Sequence, residues 1–97
     1  YLEYLRELVC LIFISLARVK KKPTKEATGK FTKTIGELKK KGINVIGFYW
    51  TLGRYDGVMI FEAPSEKDAM KFAIDLAEDA TVETMVAVPR EEALKLL

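Results

Sequence analysis

The spacing of apolar residues switches repeatedly between the period of a strand and the period of a helix. Residues 8–18 are rich in branched and aromatic side chains and contain no Gly or Pro, which is typical of a strand. Over residues 24–41 the apolar side chains instead recur every three or four positions, as on one face of a helix. The members of that stripe are Ala27, Phe31, Ile35 and Leu38. A chain that alternates these periods is expected to form a layer of helices on a sheet.

The rest of the chain continues the alternation. Ser65 and Asp68 have the spacing of a helix-capping box, and Gly42 after three lysines is a predicted helix C-cap. A short link, Gly53-Arg54, predicts a hairpin between two strands. The remaining predicted elements are strands over residues 43–52, 55–63 and 81–88, a helix over residues 65–79, and a short helix that begins at Pro89.

This order of elements predicts one α+β domain over residues 1–97. The pattern β-α-β-β-α-β is that of ferredoxin-like folds, with a four-stranded antiparallel sheet and a short C-terminal helix added. Because β-α-β crossovers are right-handed, both long helices are expected on the same face of the sheet. Residues 1–7 are interpreted as a lead-in segment to the first strand.

Both sides of every predicted strand are apolar. In the first strand one side carries Cys10, Ile12, Ile14 and Leu16, and the other Val9, Leu11 and Phe13. In the second strand Ile46, Phe48 and Trp50 alternate with Val45 and Tyr49. Since helices cover one face only, the second face predicts a partner, and a homodimer packed sheet to sheet is favoured. The alternative is that the C-terminal helix folds over this face.

Several catalytic chemistries are excluded by composition. The chain has no His, which removes Ser-His-Asp and Cys-His nucleophile pairs and histidine metal sites. A single Cys, Cys10, removes cysteine-cluster zinc and iron–sulfur sites. No glycine-rich phosphate-binding motif is present. We therefore expect neither a metal nor a cofactor.

Composition also predicts a compartment. One Cys inside an apolar run cannot form an internal disulfide and is interpreted as a buried hydrophobic residue. The apolar run over residues 8–17 is about half as long as a membrane-spanning helix requires, so no membrane association is expected. These features favour a cytoplasmic protein. The absence of Gln, the single Asn44 and the many Lys and Glu residues hint at a thermophilic source.

Charge is distributed unevenly along the chain. Residues 1–45 carry eleven basic and four acidic side chains, a net charge of +7, whereas residues 46–97 carry five and ten, a net charge of −5. A basic surface can bind phosphate backbones, but the summed charge is only +2. The strand order is shared with RNA-recognition motifs, yet the third strand lacks their paired stacking aromatics. A solvated or partner-pairing surface is therefore favoured over nucleic-acid binding.

The hairpin contains the candidate site residues. Asp56 stands beside Arg54 and Tyr55, and Tyr49 and Trp50 add aromatic surface. Asp56 is interpreted first as a turn residue whose carboxylate accepts from local backbone N–H groups or pairs with Arg54. A role in a ligand pocket is the alternative. The tyrosine and tryptophan side chains suit a small apolar or aromatic ligand, although packing at a dimer interface explains them equally well.

The segment from Phe48 to Val58, followed by Glu62-Ala63-Pro64, resembles the signature of the GYD domain family. The family's Gly-x-Tyr-Asp element corresponds to Gly53, Tyr55 and Asp56. Residues 81–89, with Glu83-Thr84 in the fourth strand, are similar to it as well. The resemblance implies a dimeric α/β barrel and leaves the chemistry open.

Three functions stay open at this point. The first is a homodimeric binding or regulatory domain, with a candidate pocket between sheet and helices formed by Tyr49, Trp50, Gly53, Arg54, Tyr55 and Asp56. The second is a cofactor-independent enzyme of the monooxygenase or isomerase kind, with Asp56 as base. The third is an assembly module whose dimer edges pair further.

Overall fold

The computed structural model describes residues 11–97, so the predictions for residues 1–7 and Cys10 lie outside the described part of the chain. Within it the predicted order of elements and the ferredoxin-like α+β fold are confirmed. The elements are β1 (Leu11–Val19), α1 (Lys25–Lys40), β2 (Asn44–Trp50), β3 (Gly57–Ala63), α2 (Glu66–Leu76), β4 (Ala80–Ala87) and α3 (Arg90–Leu94).

The four strands form one antiparallel sheet in the order β2-β3-β1-β4. The two central strands pair with Phe13 opposite Phe61, and β4 lies on the other side of β1 with Val86 opposite Phe13. This arrangement leaves β2 and β4 as the two edges of the sheet.

The two long helices begin at the residues that the capping patterns predict. The hydroxyl of Thr24 accepts from the Ala27 backbone N–H at 3.1 Å, and the hydroxyl of Ser65 accepts from that of Asp68 at 3.3 Å. Each bond satisfies a donor that has no partner within its helix. The predicted N-cap at Ser65 is thereby confirmed, and its hydroxyl also donates to Oδ2 of Asp68 at 2.8 Å.

The core lies between the helices and one face of the sheet. Phe61 is fully buried. Its ring stacks on that of Phe13, with the ring centroids 5.4 Å apart. The ring of Phe72, from α2, contacts it edge-on, and these two centroids are also 5.4 Å apart. Helix α1 packs at the β2 side, where Phe31 contacts Phe48 at 5.2 Å. Residues of both helices belong to this one cluster, so they cover the same face, as right-handed crossovers require.

The opposite face of the sheet, here called the open face, is also apolar. It carries five half-buried aliphatic side chains from the two central strands, namely Ile12, Ile14, Leu16, Val58 and Ile60. Helix α3 has no buried residue and Leu94, Leu96 and Leu97 are exposed, although its Glu92 lines a cavity together with Ile12. The burial of α3 therefore gives no support to the alternative in which the C-terminal helix covers the whole face.

The strict alternation predicted for β2 is wrong. A bulge at Ile46 shifts the register, so that Val45 pairs with Phe61 and Phe48 pairs with Met59. Val45 and Phe48 consequently lie on the same, helix-covered side, three positions apart instead of two or four. An extra residue of this kind reverses the side on which every later side chain of the strand lies.

Gly42 ends α1 in a conformation that a side chain disfavours. Its φ is +86°, and the Ile43 and Gly42 N–H groups donate to the Leu38 and Lys39 carbonyls, as in a Schellman motif. A Cβ here would lie 3.2 Å from Cγ of Pro64. We therefore expect Gly42→Ala to lower the free energy of unfolding, measured with urea, by about 1–2 kcal/mol.

Gly36 supplies the matched control for that substitution. It lies within α1, and a Cβ built there has no neighbour within 4 Å. Gly36→Ala is expected to raise the free energy of unfolding by about 0.5–1 kcal/mol, because alanine loses less backbone entropy in a helix. Equal effects of the two substitutions would contradict the assignment of Gly42 as a conformational C-cap.

Candidate functional site

The β2–β3 loop, which carries the candidate site, is longer than the predicted two-residue turn. It spans residues 51–56, and β3 begins at Gly57 rather than at Tyr55. The Thr51 N–H donates to the Asp56 carbonyl at 2.9 Å and its hydroxyl donates to the Tyr55 carbonyl at 2.6 Å. Gly53 has a φ of +104°, which glycine tolerates and which lets the chain reverse within this loop.

Asp56 ties the loop to the end of β1. Its backbone N–H donates to the Ala17 carbonyl at 2.8 Å, and its Oδ2 accepts from the Val19 N–H, also at 2.8 Å. The carboxylate thus binds a backbone N–H, but the donor belongs to a strand 37 positions away instead of the local turn. This bond gives Asp56 a role in holding two segments together.

Tyr55 reaches across the open face to β4. Its hydroxyl donates to Oε2 of Glu83 at 2.8 Å. Glu83 pairs with Leu16, so both lie on the open face. The hydrogen bond to Glu83 raises the pKa of the Tyr55 hydroxyl above its ordinary value, while the nearby Arg54 and Arg18 charges act in the opposite direction.

Arg54 lies over the aromatic ring of Tyr55. The guanidinium carbon is 5.6 Å from the ring centroid, within the range of a cation–π contact. Together with Tyr55 and Glu83 it forms a polar group at the loop end of the open face, called here the Tyr55 cluster. The members of the cluster are Arg18, Arg54, Tyr55 and Glu83.

Tyr49 and Trp50 lie on opposite sides of the sheet. Phe48 contacts α1, which places Trp50, two residues on, on the helix-covered side and Tyr49 on the open face. The Tyr49 ring lies against Gly47. A Cβ atom at position 47 would lie 2.9 Å from Cε2 of Tyr49. The six predicted site residues are therefore neighbours along the hairpin, with Tyr49 and Trp50 directed to opposite faces of the sheet.

Two small cavities lie elsewhere on the described part of the molecule. One, of about 30 Å³, lies between α1 and α2 and is lined by Leu38, Ile43 and Phe72 among others. The second, of about 130 Å³, lies at the other end of β1 and β4 and includes Ile12, Val88 and Glu92. Neither of these two cavities is lined by any of the six predicted residues.

Two members of the Tyr55 cluster, Arg18 and Glu83, were missed as site residues by sequence reasoning. Arg18 ends the predicted first strand, and Glu83 was noticed only as part of the family resemblance. No local spacing connects Glu83 with Tyr55, because the two are 28 positions apart and meet only through the strand register.

Over residues 11–97 no three His, Cys, Asp or Glu side chains are grouped closely enough to hold a metal ion. Within the same part of the chain, none of the helices has the length and apolar character needed to cross a membrane.

Comparison with known proteins bears on both fold and family. A search of the curated proteins found no significant match. Among solved structures, the crystal structure of MtbAldR superposes with a TM-score of 0.56 at 17% sequence identity. The alignment covers 86% of this chain and 56% of that chain, so this chain spans little more than half of that protein's length. At this identity the likeness concerns the fold alone.

The family comparison covers nearly the whole sequence. The family model described as GYD domain matches residues 10–97, which include the hairpin, the Tyr55 cluster and all described elements. The resemblance that the hairpin residues suggested is thereby confirmed, and the chain belongs to the GYD domain family.

Proposed function

We propose that this protein is a homodimeric domain that binds a small apolar or aromatic metabolite on the open face of its sheet, in a regulatory role. The observation that carries the proposal is the composition of that face. Its centre is aliphatic, and one end bears the Tyr55 cluster. Sites for small molecules combine a mostly apolar lining with a few polar groups in this way.

The homodimer is supported by the size of the apolar surface. Ile14 and Ile60 pair at the centre of the open face, with Ile12, Leu16 and Val58 around them. Large exposed apolar patches on small proteins are typically sites of association. A second copy that packs sheet to sheet covers the face of both chains at once and turns two open faces into a closed space.

The ligand class follows from the residues at the loop end. Tyr49 and Tyr55 offer aromatic rings with hydroxyl groups, and the exposed Arg54 offers a cation beside them. Leu16 and Val58 supply apolar surface next to the same rings. A ligand with an aromatic or aliphatic body and one polar or anionic group complements this arrangement.

The enzyme hypothesis receives less support from the same residues. It requires the Asp56 carboxylate to act as a base, but Oδ2 of that carboxylate already accepts from the Val19 N–H and helps to hold β1 against the loop. A base must lie within hydrogen-bond reach of the proton it removes, and this geometry directs Asp56 toward the backbone. Binding is therefore the function we favour, in a cytoplasmic and thermophilic setting suggested by composition.

A thermal-shift screen of a metabolite panel, guided by native mass spectrometry of protein purified from its host, tests this function. A discrete mass added to twice the chain mass identifies the ligand class. At a ligand concentration of one hundred times Kd, binding adds about 2.7 kcal/mol of stability, which raises Tm by about 10 °C or more in a domain of this size. Arg54→Ala is expected to abolish the shift while leaving the dimer intact.

Arg90→Ala provides the matched control. Arg90 is exposed on α3, outside the Tyr55 cluster, so its loss removes the same charge without touching the proposed site. The shift should persist in that variant. A bare dimer in the mass spectrum together with no shift for any compound of the panel would refute ligand binding. An equal shift in Arg54→Ala would refute the assignment of the Tyr55 cluster.

A further inference from the structure

The open face carries a continuous row of aliphatic side chains along its central strand β1. Ile14 pairs with Ile60 on β3 and with Met85 on β4, so apolar side chains flank it on both sides. Ile12 and Leu16, two positions away in either direction, lie on the same side of the strand and are half-buried. These three residues of β1, Ile12, Ile14 and Leu16, are called here the track.

The loop end of the track is cationic. Arg18 follows Leu16 on the same side of β1, and its side chain is exposed. The guanidinium carbon of Arg54 lies 5.6 Å from the centroid of the Tyr55 ring. Both arginines lie near enough for their charges to act on the Tyr55 hydroxyl. Since guanidinium N–H groups match the geometry of a carboxylate, this end of the track suits an anionic head group.

Two carboxylates lie at the same end, and each already accepts a hydrogen bond within the chain. Oε2 of Glu83 accepts from the Tyr55 hydroxyl at 2.8 Å. Oδ2 of Asp56 accepts from the Val19 N–H at the same distance. These bonds use a hydroxyl and a backbone donor, not a guanidinium group. The carboxylates therefore reduce the net charge of the loop end, but these bonds leave the arginine donors to a ligand.

The far end of the track opens into the larger of the two cavities. Ile12 and its partner Ala87 on β4 both line this cavity of about 130 Å³. Further apolar lining comes from Val86, Val88 and Pro89. Glu92 belongs to the same lining, and Glu62 on β3 lies opposite Ile12, so this end is acidic. An apolar tail fits here, whereas an anionic group is repelled.

We infer that the ligand of the open face is a long-chain aliphatic carboxylate, with its head at Arg18 and Arg54 and its tail in the cavity beside Ile12 and Ala87. This inference rests on the binding function proposed above and names its ligand class. At roughly 3.3 Å per residue, the path along β1 from Arg18 to Ile12 is about 20 Å long. An extended chain advances roughly 1.2 Å per bond, so about 16 carbon atoms cover this path. In the dimer, the partner's open face forms the second wall of the track.

Shape and charge favour this ligand over a compact aromatic one. The track is a single row of aliphatic side chains, so a linear alkyl chain buries apolar surface along its whole length. A compact aromatic ligand contacts only the loop end, around Tyr49 and Tyr55. Cations at one end and acidic side chains at the other fix the direction of a ligand that has one anionic group.

A homologous series of alkyl carboxylates tests the chain and the head group. Equilibrium dialysis with radiolabelled octanoate, dodecanoate and hexadecanoate, each below its critical micelle concentration, measures Kd. Each added methylene should lower Kd about three- to fourfold, as expected for a CH₂ group that becomes buried. Dodecanol, which has the same chain as dodecanoate but no charge, should bind about tenfold or more weakly. Native mass spectrometry should find no more than two ligands per dimer, one for each track.

Substitutions at the two ends should affect the series differently. The double variant Arg18→Ala and Arg54→Ala should raise the Kd of dodecanoate about tenfold or more and leave that of dodecanol unchanged. Ala87→Phe fills the far end, so it should raise the Kd of hexadecanoate about tenfold or more without affecting octanoate, which is too short to reach it. Ala93→Phe is the matched control, because Ala93 is exposed on α3 and does not line the cavity. Circular dichroism checks the fold, and Ala87→Leu replaces Ala87→Phe if the latter is unfolded.

The possible results separate this inference from the proposed function. If no alkyl carboxylate binds but the metabolite screen finds a ligand that Arg54→Ala abolishes, the ligand class is wrong and the function stands. If neither experiment finds a ligand, the binding function fails and the inference fails with it. Equal affinity for dodecanoate and dodecanol, or more than two ligands per dimer, would reveal unspecific adsorption and overturn the inference. An unchanged Kd of hexadecanoate in the folded position-87 variant would overturn the placement of the tail.

Discussion

Ile14→Lys is expected to separate the two protomers while each chain stays folded. Ile14 lies at the centre of the open face, opposite Ile60 on β3 and Met85 on β4. In a sheet-to-sheet dimer, two-fold symmetry places two introduced ammonium groups in one apolar interface. Removing a charge from water costs several kcal/mol, even where a carboxylate such as Glu62 or Glu83 of the same face lies nearby. Since about 1.4 kcal/mol changes Kd tenfold, we expect the dimer Kd to rise about a hundredfold or more.

Sedimentation equilibrium measures that change, and Ile74→Lys is the matched control. Ile74 is on α2 with 64% of its surface exposed, so the same chemical change occurs away from the open face. Its dimer should persist. A dimer of unchanged Kd in Ile14→Lys would show that the open face is not the interface. Loss of circular dichroism in Ile14→Lys would instead show that the open face belongs to the fold of the single chain.

Phe61→Ala is expected to lower the free energy of unfolding of the single chain more than any other substitution named here. Phe61 has no exposed surface and contacts the rings of Phe13 and Phe72. Truncation removes the apolar contacts of a full aromatic ring and leaves a cavity, which typically costs about 3–5 kcal/mol. Domains of this size have about 5–15 kcal/mol of stability in total. Tm, measured at one fixed protein concentration, should fall by about 12 °C or more.

Phe48→Ala and Phe61→Leu serve as comparisons for that result. Phe48 is 41% exposed at the sheet edge, and its main ring contact is with Phe31, so the same truncation should cost much less. Leucine at position 61 keeps most of the buried volume and should restore part of the lost stability. Similar losses for Phe48→Ala and Phe61→Ala would contradict the placement of the core around Phe61.

Much of the architecture was predictable because it depends on neighbours along the chain. Thr24 and Ser65 cap their helices through residues three positions away, and Gly42 ends α1 through bonds within one turn. Periodic spacing likewise distinguishes helices from strands within a short window. These local features predicted the order of elements and their bounds to within a few residues.

The candidate site was predicted only as a stretch of sequence. The hairpin residues were recognised, but the sequence did not show that Tyr49 and Trp50 lie on opposite sides of the sheet or that Tyr55 reaches Glu83. The bulge at Ile46 also escaped prediction. A bulge inserts one residue without a distinctive composition, yet it changes the side of the sheet that each later residue faces.

By itself the sequence determined the order of strands and helices, the helix caps, the excess of apolar surface over what two helices can cover, and the absence of histidine chemistry. Tertiary structure decided which distant groups meet: the Asp56 carboxylate with the Val19 N–H, 37 positions away, and the Tyr55 hydroxyl with Glu83. Such contacts depend on the register between strands. Register depends on the turns and on the apolar pattern of all paired strands together, so the spacing within one segment does not reveal these contacts.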